Sequence, residues 1–395
     1  MKPIQAAQRT DGVRYAIRDV VMRARELAAG GMDMLYLNIG DPIQFDFETP
    51  PHLIEAISQA MRDGQTGYCA SEGTAEAIDA VTREAHSKGI LNPHHVYITT
   101  GASEAIELAL TALLDPGDEL LVPSPGYPLY TALLSKLSAT GVPYALDEAN
   151  GWQPNVDDIE RLITPRTKGI SVINPNNPTG SIADTETLNG IVALAKEHNL
   201  LLLSDEIYDK LTLDGSRLTS LASLAGDHPC VTFGGIAKCY LSPGLRVGWG
   251  IISGEPDHLE DYAEAVARLE RVRLCSSYPA QAAVAAAIDG PQDHIDTMRA
   301  QLVSRRDRLM HGIDQIEGIT CVPPQGAFYA FPRLQDGIDD NAFVLQLMEE
   351  TGIVCVPGSG FGQAAGTAHL RFVVLPPETV IDQAMERLAG FMARR

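Results

Sequence analysis

Between residues 95 and 233 short apolar runs alternate with helical segments, and this alternation restricts the fold more than any other feature of the chain. The runs are HVYIT (95–99), ELLVP (119–123), VPYAL (142–146), KGISVIN (168–174), LLLLS (200–204) and CVTF (230–233). Helical patterns at 103–114, 127–139 and 184–198 separate most of them. Inside a run the apolar residues follow one another without two-residue alternation, as strands covered on both faces require. The pattern predicts an α/β fold with a mostly parallel central sheet.

On either side the pattern changes. Residues 11–29 place Val13, Ile17, Val20, Val21, Ala24 and Leu27 at helical spacing before Gly30-Gly31. A short strand in MLYLNIGDP (34–42) and helices at 51–62 and 73–88 follow. After Pro256 the chain reads as helical to about 316, with a break at Tyr278-Pro279, and then as α+β to the end. We therefore expect a large domain over 46–285, a smaller α+β domain over 286–395, and an arm at 1–45 packed beside the smaller one.

A net charge of −21 argues against nucleic acid or an anionic membrane as partner, since phosphate-rich surfaces would repel the chain. No apolar run reaches the ~18 residues of a membrane helix, and the first residues lack a hydrophobic signal core. Six cysteines without CxxC spacing suit reduced thiols, not metal ligands. Together these features predict a cytoplasmic protein without a metal.

In open α/β sheets ligands bind beyond the carboxyl ends of the strands, so the residues that follow each run are the candidates. HVYIT leads into TGASEAIELAL, where Gly101, Ala102 and Ser103 open a helix. Free N–H groups and a hydroxyl there suit a phosphate, and equally a plain cap. ELLVP leads to Tyr127, able to lie against a planar ring or to pack in the core. KGISVIN leads to PNNPTG, a rigid turn presenting Asn177. LLLLS leads to DEIYDKL, with Asp205 at the end of an apolar run and Tyr208 three residues on. A buried carboxylate there needs a partner, although Asp205 also suits a helix N-cap. CVTF leads through Gly234-Gly235 to Lys238, one of only seven lysines, and a second apolar run opened by Arg246. At a partly dry strand end an amine can lose its proton and attack a carbonyl.

An anion cradle, an aromatic plate, an amide, a buried acid with a tyrosine, and a lysine jointly suit one ligand, a phosphorylated pyridine aldehyde. Pyridoxal 5'-phosphate would join Lys238 as a Schiff base. Asp205 would keep its ring nitrogen protonated, Asn177 and Tyr208 would bond its ring oxygen, and Arg246 would pair with its phosphate.

With NPNNPTG, DEIY and the lysine in this order, the chain resembles the class I aminotransferases of fold type I. It is most similar to the bacterial alanine aminotransferases that pair glutamate with pyruvate. The likeness also covers LNIGDP, GYCASEG, PSPGYPLY, RLCSSYPAQ, PQGAFYAFP and LRFVVLP. It implies a fold type I PLP-transferase that moves an amino group between an L-amino acid and a 2-oxo acid. By position it makes Lys238 both the Schiff-base lysine and the proton shuttle, and it stacks Tyr127 on the ring. Ala102 and Ser103 fall in the phosphate cup, Arg371 clamps the substrate carboxylate, and Gly40 lets backbone approach that carboxylate. Tyr68 would reach the phosphate of a neighbouring subunit, which implies a homodimer with shared active sites.

Many relatives carry serines three residues before the lysine and immediately before it, where this chain has Gly235 and Ala237. Each hydroxyl lost from a charged phosphate removes ~1.5 to 3 kcal/mol unless a backbone amide or water replaces it. Two other activities share such a cofactor shell, a fold type I β-lyase or synthase and a non-catalytic cofactor-binding sensor or scaffold. A dinucleotide enzyme is disfavoured by the lack of GxGxxG after a first strand. Side-chain preference is expected to depend on Tyr15, Arg18 and the segments 276–281 and 326–329.

Overall fold

The computed structural model describes residues 3–10 and 17–395. Tyr15 and the side chain of Arg18 lie outside the described residues. Eight strands form the central sheet: β1 (Pro93–Thr99), β2 (Glu119–Ser124), β3 (Thr140–Asp147), β4 (Gln153–Pro154), β5 (Thr167–Ile173), β6 (Leu201–Asp205), β7 (Cys230–Gly235) and β8 (Gly248–Ser253). Their order is β1-β8-β7-β6-β5-β2-β3-β4. Neighbours from β7 through β3 are parallel. Strand β8 is antiparallel to both β7 and β1, so β1 points the same way as β7. Six strands thus end on one edge, and the apolar run after Arg246 starts there.

The unalternated runs have the expected cause. In β6, Leu201 and Leu203 join one core with Ile106, Leu133 and Val266, from the helices Ala102–Leu113, Pro128–Leu137 and Glu260–Arg273. Leu202 joins the opposite core with Val81, Ile191 and Val284, from Ala75–Ser87, Thr185–His198 and Tyr278–Asp289. Both faces of the sheet are covered, so both sets of side chains are mainly apolar. The short helix Val156–Leu162, capped by Asn155, was not apparent from hydrophobic spacing.

The C-terminal part is built on short strands. Leu370–Val373 lies between Tyr329–Ala330 and Val356–Pro357, antiparallel to both. Leu35–Tyr36 pairs in parallel with Ile353–Val354, which fastens the N-terminal segment to this region. Arg305, almost wholly buried, adds an ion pair of 2.5 Å to Asp46.

Three segments meet tightly where the site begins. Thr99 of β1 and Gly235 of β7 both pair with Gly248, so two strand ends sit level on either side of the start of β8. A Cβ at Gly248 would lie 2.3 Å from the backbone nitrogen of Ala102. Only a glycine lets the helix Ala102–Leu113 start against the sheet edge. Gly248→Ala is expected to cost about 1 to 3 kcal/mol by overpacking against backbone. Gly244→Ala, where a Cβ meets nothing within 4 Å, serves as the control in urea unfolding.

Candidate active site

A cavity of about 320 Å³ opens at this edge, and its lining gathers most of the residues named from the sequence. Gly40, Ala102, Ser103, Tyr127, Asn177, Asp205, Tyr208, Lys238, Arg246 and Arg371 all border it. Gly101 sits immediately behind, with a φ of +80° that favours glycine. A Cβ there would come within 2.4 Å of Nη2 of Arg246, so the missing side chain is what lets the guanidinium reach the helix start. No side chain caps the N-terminus of that helix. Its first amides, the Ser103 hydroxyl and Arg246 form a cationic, donor-rich cradle. Arg246 spends one donor on the Pro243 carbonyl at 3.1 Å.

Asp205 ends β6 and is buried. It caps no helix, since turns follow it and the next helix starts at Leu221. Its Oδ1 accepts a long bond of 3.3 Å from the Ile207 amide. Burial pushes its carboxyl up to about 6; the Ile207 amide and Lys238 pull it down, and Glu206 pushes it up further. Among the described residues no cation is in hydrogen-bond contact with this carboxyl.

Lys238 is half-buried, and its Nζ donates to the Gly40 carbonyl at 2.7 Å. The same Nζ lies 5.6 Å from the centre of the Phe328 ring. On the far side Arg371 is buried between two aromatic rings, 4.8 Å from the centre of Tyr329 and 4.7 Å from that of Phe361. It donates to the Asn38 carbonyl at 2.9 Å and to Asn177 Oδ1 at 3.3 Å. Its Nε is buried without a partner. The hydroxyls of Tyr208 and Tyr329 meet at 2.9 Å, and burial raises the Tyr208 phenol well above its ordinary range.

Tyr68 is not part of this cavity. It lies on the surface, 83% exposed, among the largest exposed apolar side chains. Asn38, Tyr329 and Phe361 border the cavity without having been singled out. Tyr329 falls in the segment 326–329 expected to influence side-chain preference, but its place under a guanidinium left no signature in spacing. It also explains Gly40, where a Cβ would lie 2.6 Å from the Tyr329 hydroxyl.

The cavity joins a donor cradle, a buried acid short of a cation, and an amine. These suit the phosphate, ring nitrogen and aldehyde of pyridoxal phosphate. Comparison with known proteins decides the family. The model of the family described as "Aminotransferase class I and II" matches residues 32–388. The chain belongs to the class I and II aminotransferases. This aminotransferase is 43% identical to an alanine aminotransferase of Mycobacterium tuberculosis, covering 98% of this chain and 92% of the relative. It is 38% identical to a glutamate-pyruvate aminotransferase of Escherichia coli, over 100% of this chain and 99% of the other. The solved structure of an alanine aminotransferase from Pyrococcus furiosus superposes with a TM-score of 0.95 at 42% identity, over 99% of this chain and 100% of that one. Like its family, the enzyme is a transaminase that uses pyridoxal phosphate. No helix among the described residues is long and apolar enough to cross a membrane.

The raised Asp205 carboxyl has a consequence for the cofactor-free protein. Its folded value of about 6 exceeds the unfolded value near 3.8, so the folded form holds the extra proton and stability falls as pH rises between the two. Above that window Asp205→Asn should stabilise the cofactor-free protein, by on the order of 3 kcal/mol at pH 8. At pH 4 the gain should vanish. Denaturant unfolding at the two pH values measures both, and the same variant should hold the cofactor poorly.

Proposed function

We propose that this aminotransferase exchanges the amino group between L-alanine, or a similar small apolar amino acid, and 2-oxoglutarate, with glutamate and pyruvate in the reverse direction. The convergence of Lys238, buried Asp205 and ring-clamped Arg371 on one cavity carries this reading. The alanine and glutamate-pyruvate aminotransferases among its relatives point to the substrates.

When bound, pyridoxal phosphate supplies an electron sink that stabilises negative charge at the substrate Cα. Gly101, Ala102, Ser103 and Arg246 would hold its phosphate, and Tyr127 would lie against its ring. Asp205 keeps a proton on the ring nitrogen, and in gaining that cation its own carboxyl falls back toward the ordinary range. Asn177 and Tyr208 donate to the ring oxygen. Lys238 would hold the aldehyde carbon, and its Nζ, when free, would be the base placed to take a proton from the substrate Cα.

Arg371 grips the substrate carboxylate as a planar, two-pronged donor. The rings of Tyr329 and Phe361 prevent it from turning, and the backbone at Gly40 comes close because no side chain intervenes. Tyr68, exposed as it is, suits a contact with the phosphate of a second copy, so we propose a homodimer with shared sites. Residues 46–285 would form the cofactor-holding unit, and 286–395 with the first 45 residues the substrate-closing one.

A panel of L-amino acids against pyruvate and 2-oxoglutarate tests the substrate pair. Alanine should turn over only when a 2-oxo acid is added, and release of ammonia and pyruvate from cysteine-type substrates, by β-elimination without an acceptor, would refute transfer. Lys238→Ala should abolish turnover. Arg371→Ala should raise KM for alanine roughly 10- to 100-fold, as expected for a charge-assisted pair, with a smaller change in kcat. An unchanged KM would remove Arg371 from the carboxylate site.

A further inference from the structure

Behind the cavity, on the outer side of the segment 205–210, lies a second group of buried charges that the chemistry above does not use. Asp205 and Tyr208 face inward, whereas Glu206, Asp209 and Lys210 border a separate cleft of about 450 Å³. Across that cleft the helix Ala75–Ser87 and its C-cap Lys88 supply matching charges. Lys88 Nζ lies 2.5 Å from Asp209 and 3.6 Å from Glu206. Glu84, one turn earlier, takes Lys210 at 2.9 Å.

The two acids facing Lys88 are each tied to a residue next to the cofactor groups. Glu206 follows Asp205 in the chain. Its Oε1 is filled by the hydroxyls of Ser204 (2.9 Å) and Ser220 (2.7 Å) and the Leu221 amide (3.3 Å). Its Oε2 is buried without a hydrogen bond and has Lys88 as its cation. Asp209 accepts from the thiol of Cys239, the residue after Lys238, at 3.6 Å. Burial alone would raise the Asp209 carboxyl, but Lys88 and Lys210 hold it below its usual range.

We propose that Lys88 is a positioning residue of this aminotransferase: by neutralising Glu206 and Asp209 from behind, it fixes the placement of Asp205 and sets the electrostatic field at Lys238. Remove the ammonium and two buried carboxylates, Glu84 and Glu206, and the part-buried Asp209 keep Lys210 as their nearest cation, with Arg217 and Arg299 only at the border of the cleft. The 205–210 segment then carries uncompensated negative charge, and separation of its acids shifts Asp205 and the Cys239-Lys238 backbone with them. On the cavity side the charged or titratable groups facing Lys238 are Tyr127, Asp205, Tyr208, Tyr329, Arg246 and Arg371. The cleft side adds Arg217, Asp296 and Arg299 at its border. None of these replaces Lys88 at Asp209.

The proposal rests on Lys238 and Asp205 holding the cofactor, and the test separates the two. In the holoenzyme the visible band of the bound cofactor is titrated with pH, and the cofactor Kd is measured by fluorescence on the cofactor-free protein. Wild type should show a titrating band that Lys238→Ala lacks; failure of that control would sink the site assignment. Lys88→Met should raise Kd by about tenfold or more and move the band's midpoint upward by about half a unit or more. Lys88→Arg should restore both. Lys88→Met with Asp209→Asn should bring the midpoint back, and Asp209→Asn alone, which leaves the ammonium in excess, should lower it. If Lys88→Met fails to fold, the single Asp209 variant still decides by the sign of its shift. A folded Lys88→Met protein with wild-type midpoint and Kd would overturn the proposal. So would weakened binding that neither the arginine nor the compensating variant repairs, because packing alone would then account for it.

Discussion

A carboxyl group at the dry end of a central strand is the constraint on which the site turns. Asp205 cannot be ionised cheaply where it sits, because burial removes water and the nearest donor is one long backbone amide. The buried carboxyl thus sets a demand for positive charge at one fixed place. A protonated ring nitrogen meets that demand, and the geometry around it selects a ring: Tyr127 borders the same cavity and Arg246 stands at the cradle. The strain of burying an acid is what gives the site its preference for a cationic heterocycle.

Close backbone packing does the rest at the phosphate end. Gly101 and Gly248 remove two side chains, so that a helix start, a strand start and a guanidinium share a small volume. The glycine at 235 has a similar origin. A Cβ there would lie 2.9 Å from the Val247 carbonyl oxygen and 3.1 Å from the Gly248 Cα. The approach of β8 therefore leaves no room for a side-chain hydroxyl at 235. The cradle is left to backbone amides, Ser103 and Arg246.

Much of this was legible in the sequence because strand ends are chemical addresses in a parallel sheet. Once the runs ending at Thr99, Ser124, Ile173, Asp205 and Gly235 are aligned, Ala102, Tyr127, Asn177, Tyr208 and Lys238 must gather on one edge. What escaped has a common cause. Asn38, Tyr329 and Phe361 come from segments whose strands are absent or only two residues long, too short to leave a period. Their positions depend on long-range pairing, such as Leu35 with Ile353 and Tyr329 with Val373, that one sequence does not display. Strand β8 escaped as a partner of β1 and β7 because an antiparallel strand inserted among parallel ones has the same apolar composition as its neighbours.

The pairing that was hardest to foresee also joins the two ends of the site. The stretch from Leu37 to Gly40 continues from the strand Leu35–Tyr36 and passes between the main cations. Its Asn38 carbonyl takes Arg371 and its Gly40 carbonyl takes Lys238. Both carbonyls belong to one short stretch, which is anchored to the C-terminal sheet and not to the central one. That stretch has little freedom of its own, since Tyr329 closes on Gly40 from one side and Val373 donates to the Leu37 carbonyl at 2.8 Å.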